Sequence, residues 1–194
     1  MSSLQRQTAN ATRWSSITEV ASRLVLPLVN MVLARLLTPD AFGVVATITM
    51  IVSFAEIFAD AGFQKYIIQH KFTDNTELNQ CTDVAFWTNL SVSSFLWLII
   101  YVFSEPLATL VGNPGLVVAI AALSLPMYAF SSIQMARFKR DMDFKSLFFV
   151  RMISVLVPLF ITIPIAILAS SYWALIIGTL ASNLANAIVL TIRS

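Results

Sequence analysis

Cysteine is nearly absent from this chain. Cys81 stands alone among 194 residues, which excludes an internal disulfide, and His70 is the only histidine, so a Cys/His metal site has no ligand set. No His/Cys pair exists for nucleophilic catalysis either. Charge is scarce: 11% of residues are charged, against roughly 25% in an ordinary soluble domain. A net charge of +2 with no block of five like charges argues against a nucleic-acid partner. None of the five glycines builds a phosphate-binding loop or a nucleotide fingerprint. No enzyme activity, cofactor or metal is expected. A membrane-bound glycosyltransferase is disfavoured further, because no acidic pair sits in a loop large enough to hold a nucleotide sugar.

Apolar residues are what the chain has in excess, at 58% of the sequence and a mean hydropathy of +0.81. Six apolar stretches, near 15–36, 41–64, 84–104, 115–136, 146–168 and 171–192, each approach the ~20 residues a helix needs to cross a bilayer. They do not alternate as barrel strands would, so an all-α polytopic membrane protein of six transmembrane helices is predicted, residues 1–194 forming a single membrane domain. Short punctuations separate the stretches: LTPD (37–40), QHKFTDNTELNQ (69–80), VGNPG (111–115) and RFKRDMDFK (137–145). The first stretch contains Glu19 and Arg23 and is too long for a cleavable signal, so it reads as a retained span.

The basic residues set the orientation. With the N-terminus inside, Arg6, Arg13, Lys65, Lys71, Arg137, Lys139, Arg140, Lys145 and Arg193 are cytoplasmic, while Arg35 alone is outside. That bias predicts both termini in the cytoplasm.

Within the spans the polar residues are organised. Thr49, Ser53, Glu56, Asp60 and Gln64 fall on one side of the second helix. Glu19, Ser22, Arg23, Pro27 and Asn30 do so on the first, and Arg151, Ser154, Pro158 and Thr162 on the fifth. The first two helices turn near residue 38, so Arg23 and Glu56 lie within about one turn of each other in height. Glu19, Arg23, Glu56, Asp60 and Arg151 all fall in the inner half of the bilayer, where a charge facing lipid costs about 2.5–3.5 kcal/mol. Two readings stay open: a buried ion-pair network that orients the bundle, or a water-filled cavity in which arginines attract an anionic substrate and carboxylates bind a coupling cation.

Other features read as packing. Pro27, Pro126, Pro158 and Pro164 fall inside predicted spans and kink them, which suits a transporter that rocks between states, although proline is common in membrane helices generally. Gly178, Ser182 and Asn186 make a small-and-amide stripe for close helix approach, with Tyr172 and Trp173 at the membrane interface. Asn10-Ala11-Thr12 and Asn89-Leu90-Ser91 match the glycosylation tripeptide by chance, and Asp141 and Asp143 read as a solvated salt-bridge face.

Five stretches, LARLLTPDAFGVVA (33–46), FADAGFQKYIIQ (58–69), VAFWTNL (84–90), RDMDFKSL (140–147) and YWALIIG (172–178), follow in the order seen in bacterial polysaccharide exporters. The chain resembles the O-antigen and exopolysaccharide flippases, of colanic-acid type, in the multidrug/oligosaccharidyl-lipid/polysaccharide exporter superfamily. The resemblance implies the N-terminal six-helix lobe of a MATE-like fold in the bacterial inner membrane, with two such lobes around a central cavity. It implies translocation of an undecaprenyl-pyrophosphate-linked oligosaccharide for polysaccharide biosynthesis. Arg23 and Arg151 are then candidates for the pyrophosphate, since arginine suits bidentate phosphate recognition, and Glu56, Asp60 and Glu19 for cation coupling. Relatives have roughly twice this length, so the N-terminal half of a longer protein is expected, completed by a C-terminal lobe or a second copy. Polymerase and glycosyltransferases are further expected partners. Two alternatives remain: a cation-coupled multidrug exporter, and a non-transporting scaffold subunit of a glycan-assembly complex.

Overall fold

The computed structural model describes residues 24–25, 27–72, 74–111, 115–169 and 171–193, and every regular element among them is helical. In chain order these are α1 (Pro27–Leu36), α2 (Pro39–Asp60), α3 (Phe63–Gln69), α4 (Asn75–Val102), α5 (Ser104–Val111), α6 (Gly115–Ala122), α7 (Ser124–Arg140), α8 (Phe144–Val157), a π-helical turn (Pro158–Thr162), α9 (Ile163–Ala169) and α10 (Trp173–Arg193). Five continuous runs are long and apolar enough to cross a membrane: Pro39–Asp60, Asn75–Val102, Gly115–Arg140, Lys145–Leu168 and Trp173–Ile192. The all-α polytopic expectation holds. The predicted first span lies partly outside the described residues, as do Glu19, Ser22 and Arg23.

Local chemistry sets the boundaries. Thr38 caps α2 by accepting a hydrogen bond from the Ala41 amide, with Pro39 pre-set for the first turn. The second span ends four residues earlier than predicted because Ala61 (φ 43°) and Gly62 (φ 86°) turn left-handed. Gln64 therefore lies in the first turn of α3 instead of continuing the polar face of α2. The predicted loop at 69–80 is largely helix: Asp74 accepts from the Glu77 amide at 2.8 Å and starts α4 nine residues before the apolar stretch. A capping aspartate initiates a helix whose first two turns are polar, which hydropathy does not register.

Prolines mark the irregular points inside two spans. Pro126 has no N–H for the Ala122 carbonyl, and the chain breaks between α6 and α7 at Leu123, where the Ser124 hydroxyl donates to the Ala121 carbonyl at 2.7 Å. In the run Lys145–Leu168, the turn from Pro158 widens until the Ile163 amide donates to the Pro158 carbonyl, and Pro164 follows at once. π-turns of this kind bend a span without leaving most of its polar backbone bare.

Small residues hold the bundle together. Ala55, Ala59, Ala85, Ala122, Ala136, Ala166 and Ala174 are all buried, letting backbones approach closely. Large side chains such as Phe54, Ile57, Phe160 and Ile192 stay exposed, which suits acyl chains and would be costly in water. Asn89 is buried, donates to the Ser132 hydroxyl at 2.8 Å and joins α4 to α7, so its tripeptide is structural. At one end of the bundle Arg140 clamps α3, donating from Nη1 to the Ile67 and His70 carbonyls at 2.7 Å each and lying over the Phe72 ring. Asp143 caps α8 by accepting from the Ser146 amide at 3.1 Å, a structural duty that the sequence reading did not assign to it.

Candidate functional site

Glu56, about one turn from the C-terminal end of α2, opens onto a cavity of about 210 Å³ between α2, the α6–α7 break and α10. Helical spacing places Thr49, Ser53 and Glu56 on one wall, at offsets of four and three residues. Thr179 and Asn183, four residues apart, form the α10 wall, and Ser124 contributes from the break above Pro126. Ile48, Val52 and Ile176 supply the apolar floor. Glu56 is half-buried there. The arrangement offers one carboxylate with hydroxyl and amide oxygens around it, donors that suit a proton or a hard monovalent cation and the hydroxyls of a polar cargo.

The predicted residues divide. Thr49, Ser53 and Glu56 share the cavity as the α2 stripe implied. Asp60 lies one turn further along, beside the Ala61–Gly62 turn and not on the cavity wall, with Oδ1 buried and lacking a hydrogen-bond partner. Arg151 is on an exposed face of α8 and does not line the cavity. The remainder of its predicted stripe is an interface: the Ser154 hydroxyl donates to Asn186 Oδ1 at 2.9 Å, and Thr162 is buried against Gly178. The Glu56 cavity is thus lined without Arg151. Glu19 and Arg23 lie outside the described residues. Among the described residues no cluster of three His, Cys, Asp or Glu could hold a metal ion.

Thr179, Asn183 and Ser124 are the members that sequence reasoning missed. Their signal was present: Thr179 and Asn183 form a polar i, i+4 row beside the Gly178–Ser182–Asn186 row. Two adjacent rows on one helix serve two duties, and only the small-residue row announces itself as packing.

Residues 32–194 match the family described as "Polysaccharide biosynthesis protein". Among curated proteins, the chain is similar to the succinoglycan biosynthesis transport protein ExoT of Rhizobium meliloti, 29% identical over 147 residues, covering 75% of this chain and 29% of that protein. It is also similar to the lipopolysaccharide biosynthesis protein WzxC of Escherichia coli, 25% identical over 193 residues, covering 98% of this chain and 37% of that protein. An uncharacterized membrane protein in the cps region of Klebsiella pneumoniae is 28% identical over 107 residues, covering 55% of this chain and 21% of that protein. The matched segments thus span between 21% and 37% of the length of these relatives. No solved structure matches it.

Proposed function

The chain belongs to the polysaccharide biosynthesis protein family, and on that premise we propose that it forms one wall of a membrane transporter that moves a lipid-linked oligosaccharide out of the cytoplasm. The observation that carries this reading is the polar cavity around Glu56, set inside a membrane-crossing helix. A carboxylate at that depth is costly unless it is used, and a cavity with hydroxyl and amide walls lets water, a cation or sugar hydroxyls reach it. ExoT and WzxC are named for succinoglycan and lipopolysaccharide biosynthesis, which favours a glycan over a drug as cargo. The chain is a multi-pass membrane protein; the bacterial inner membrane and cytoplasmic termini belong to the proposal, supported by the basic residues at Lys65, Lys71, Arg137, Lys139, Arg140 and Lys145.

In this account Glu56 binds the coupling cation, H⁺ or Na⁺, with Asp60 and Glu19 as further acidic stations. Arg23 and Arg151 recognise the pyrophosphate of an undecaprenyl-linked substrate through bidentate contacts. Because the chain spans so little of its relatives, transport is assigned to the assembly that contains it, completed by further chain or by a second copy. Polymerase and glycosyltransferases would act on either side of that step.

Complementation tests the reading. In a strain lacking its own exporter, the intact assembly should restore surface polysaccharide, and Glu56→Gln should fail although it inserts normally. Full export by Glu56→Gln would remove the cavity from the transport path. Arg23→Ala and Arg151→Ala should likewise abolish export, and normal export by both would exclude them from substrate recognition.

A further inference from the structure

A second concavity lies on another face of the bundle, between α4 and α7. Its polar part, about 560 Å³, is lined by Asp83, Trp87, Gln134, Arg137 and Asp141, with Phe86 at its inner edge. An apolar groove of about 540 Å³ lies between α7 and α10, with Pro126, Met127 and Phe130 on one side, Leu184 and Ile188 on the other, and Leu90 of α4 beside them. The two adjoin: Phe86, which lines the polar part, and Phe130, which lines the apolar part, have ring centroids 5.3 Å apart. The groove uses a different row of α10 from the Glu56 cavity, Leu184 and Ile188 in place of Thr179 and Asn183. Nothing in the transport proposal uses it.

The dimensions are those of one leaflet. From Arg137 back to Pro126, α7 rises about 16 Å, and half of a ~30 Å hydrocarbon core is about 15 Å. The polar part sits in the last two turns of α7, beside the basic cluster Arg137, Lys139 and Arg140. Trp87 is 64% exposed at this level, as aromatic residues are at a membrane interface.

The polar part also has a specific charge pattern. Arg137 offers the planar donors that grip a phosphate. Asp83 and Asp141 supply carboxylates, and Gln134 Oε1 is a buried carbonyl oxygen with no hydrogen-bond partner. Three oxygen acceptors beside one guanidinium match a phosphate followed by a primary ammonium, whose three N–H donors each find an acceptor. A purely anionic head would instead meet two carboxylates. We propose that the α4–α7–α10 groove is a binding site for an aminophospholipid, with the phosphoethanolamine head between Arg137, Asp83, Asp141 and Gln134 and an acyl chain along Pro126, Phe130, Leu184 and Ile188.

Native mass spectrometry of the intact protein, delipidated and offered defined lipids, tests this. Phosphatidylethanolamine should remain bound at least about tenfold better than phosphatidylglycerol or phosphatidylcholine, since one lacks the ammonium and the other lacks its N–H donors. Arg137→Ala and the double variant Asp83→Asn with Asp141→Asn should erase that preference. Ala187→Phe, which fills the apolar groove and leaves the charges in place, should lower retention of all three lipids, and size exclusion checks that each variant stays folded. Equal retention of the three lipids, preference for phosphatidylglycerol, preference unchanged in the charge variants, or no retained lipid would each overturn the site. The measurement is independent of transport, so its failure leaves the Glu56 reading standing, and the reverse.

Discussion

Gly178 of α10 lies so close to Thr162 of the π-helical turn that a Cβ added to the glycine would overlap the threonine Oγ1. One helical turn pair further along the same interface, Asn186 accepts from the Ser154 hydroxyl at 2.9 Å. The α8–α10 seam is thus a close backbone approach secured by a hydrogen bond across the contact, as membrane helices commonly associate. Gly178→Ala should destabilise the protein by about 1–3 kcal/mol through overpacking. Gly43→Ala, where a Cβ meets nothing within 4 Å, should be tolerated. Thermal unfolding of both variants in detergent checks the contrast.

Asn89 and Ser132 are buried partners across the α4–α7 contact. Their energetic coupling should be modest, about 0.6 kcal/mol, because polar groups unfolded within a membrane find other partners. A double-mutant cycle with Asn89→Ala and Ser132→Ala, read by denaturant unfolding in micelles, measures it. A coupling near zero would mean that the pair only satisfies polarity and adds no stability.

Arg140 ties α3 to α7 through two carbonyls and the Phe72 ring. Removing a charged donor of this kind costs about 1.5–3 kcal/mol where it is shielded from water. The site is only part-buried, so Arg140→Ala should fall at or below the lower figure. It should speed amide hydrogen exchange across residues 66–72 while leaving α4 protected. Arg140→Lys should restore part of the protection, since a lysine reaches one carbonyl but lacks the planar fork.

Much of this was legible in the amino acids. The run lengths predicted the five long spans found among the described residues, and the offsets of four and three residues between Thr49, Ser53 and Glu56 placed them on one wall. What was not legible depends on neighbours. Arg151 and Ser154 share a helix face, yet whether that face meets water or α10 is decided by Asn186 and Gly178, far along the chain. Asp74 and Asp143 are short capping side chains whose role depends on one backbone amide three residues on, a local event that hydropathy averages away. Asn183 of α10 and Ser124 of the α6–α7 break meet at one cavity although they are distant in sequence.

Glycan transport in inverted membrane vesicles, measured for the intact assembly under imposed proton or sodium gradients, tests the central claim most directly. Wild-type protein should accumulate lumenal glycan in proportion to one of the two gradients, and Glu56→Gln should lose both the transport and its gradient dependence while reaching the membrane in normal amount. Transport by Glu56→Gln with the wild-type gradient response would contradict the account and reduce the cavity to a feature of packing.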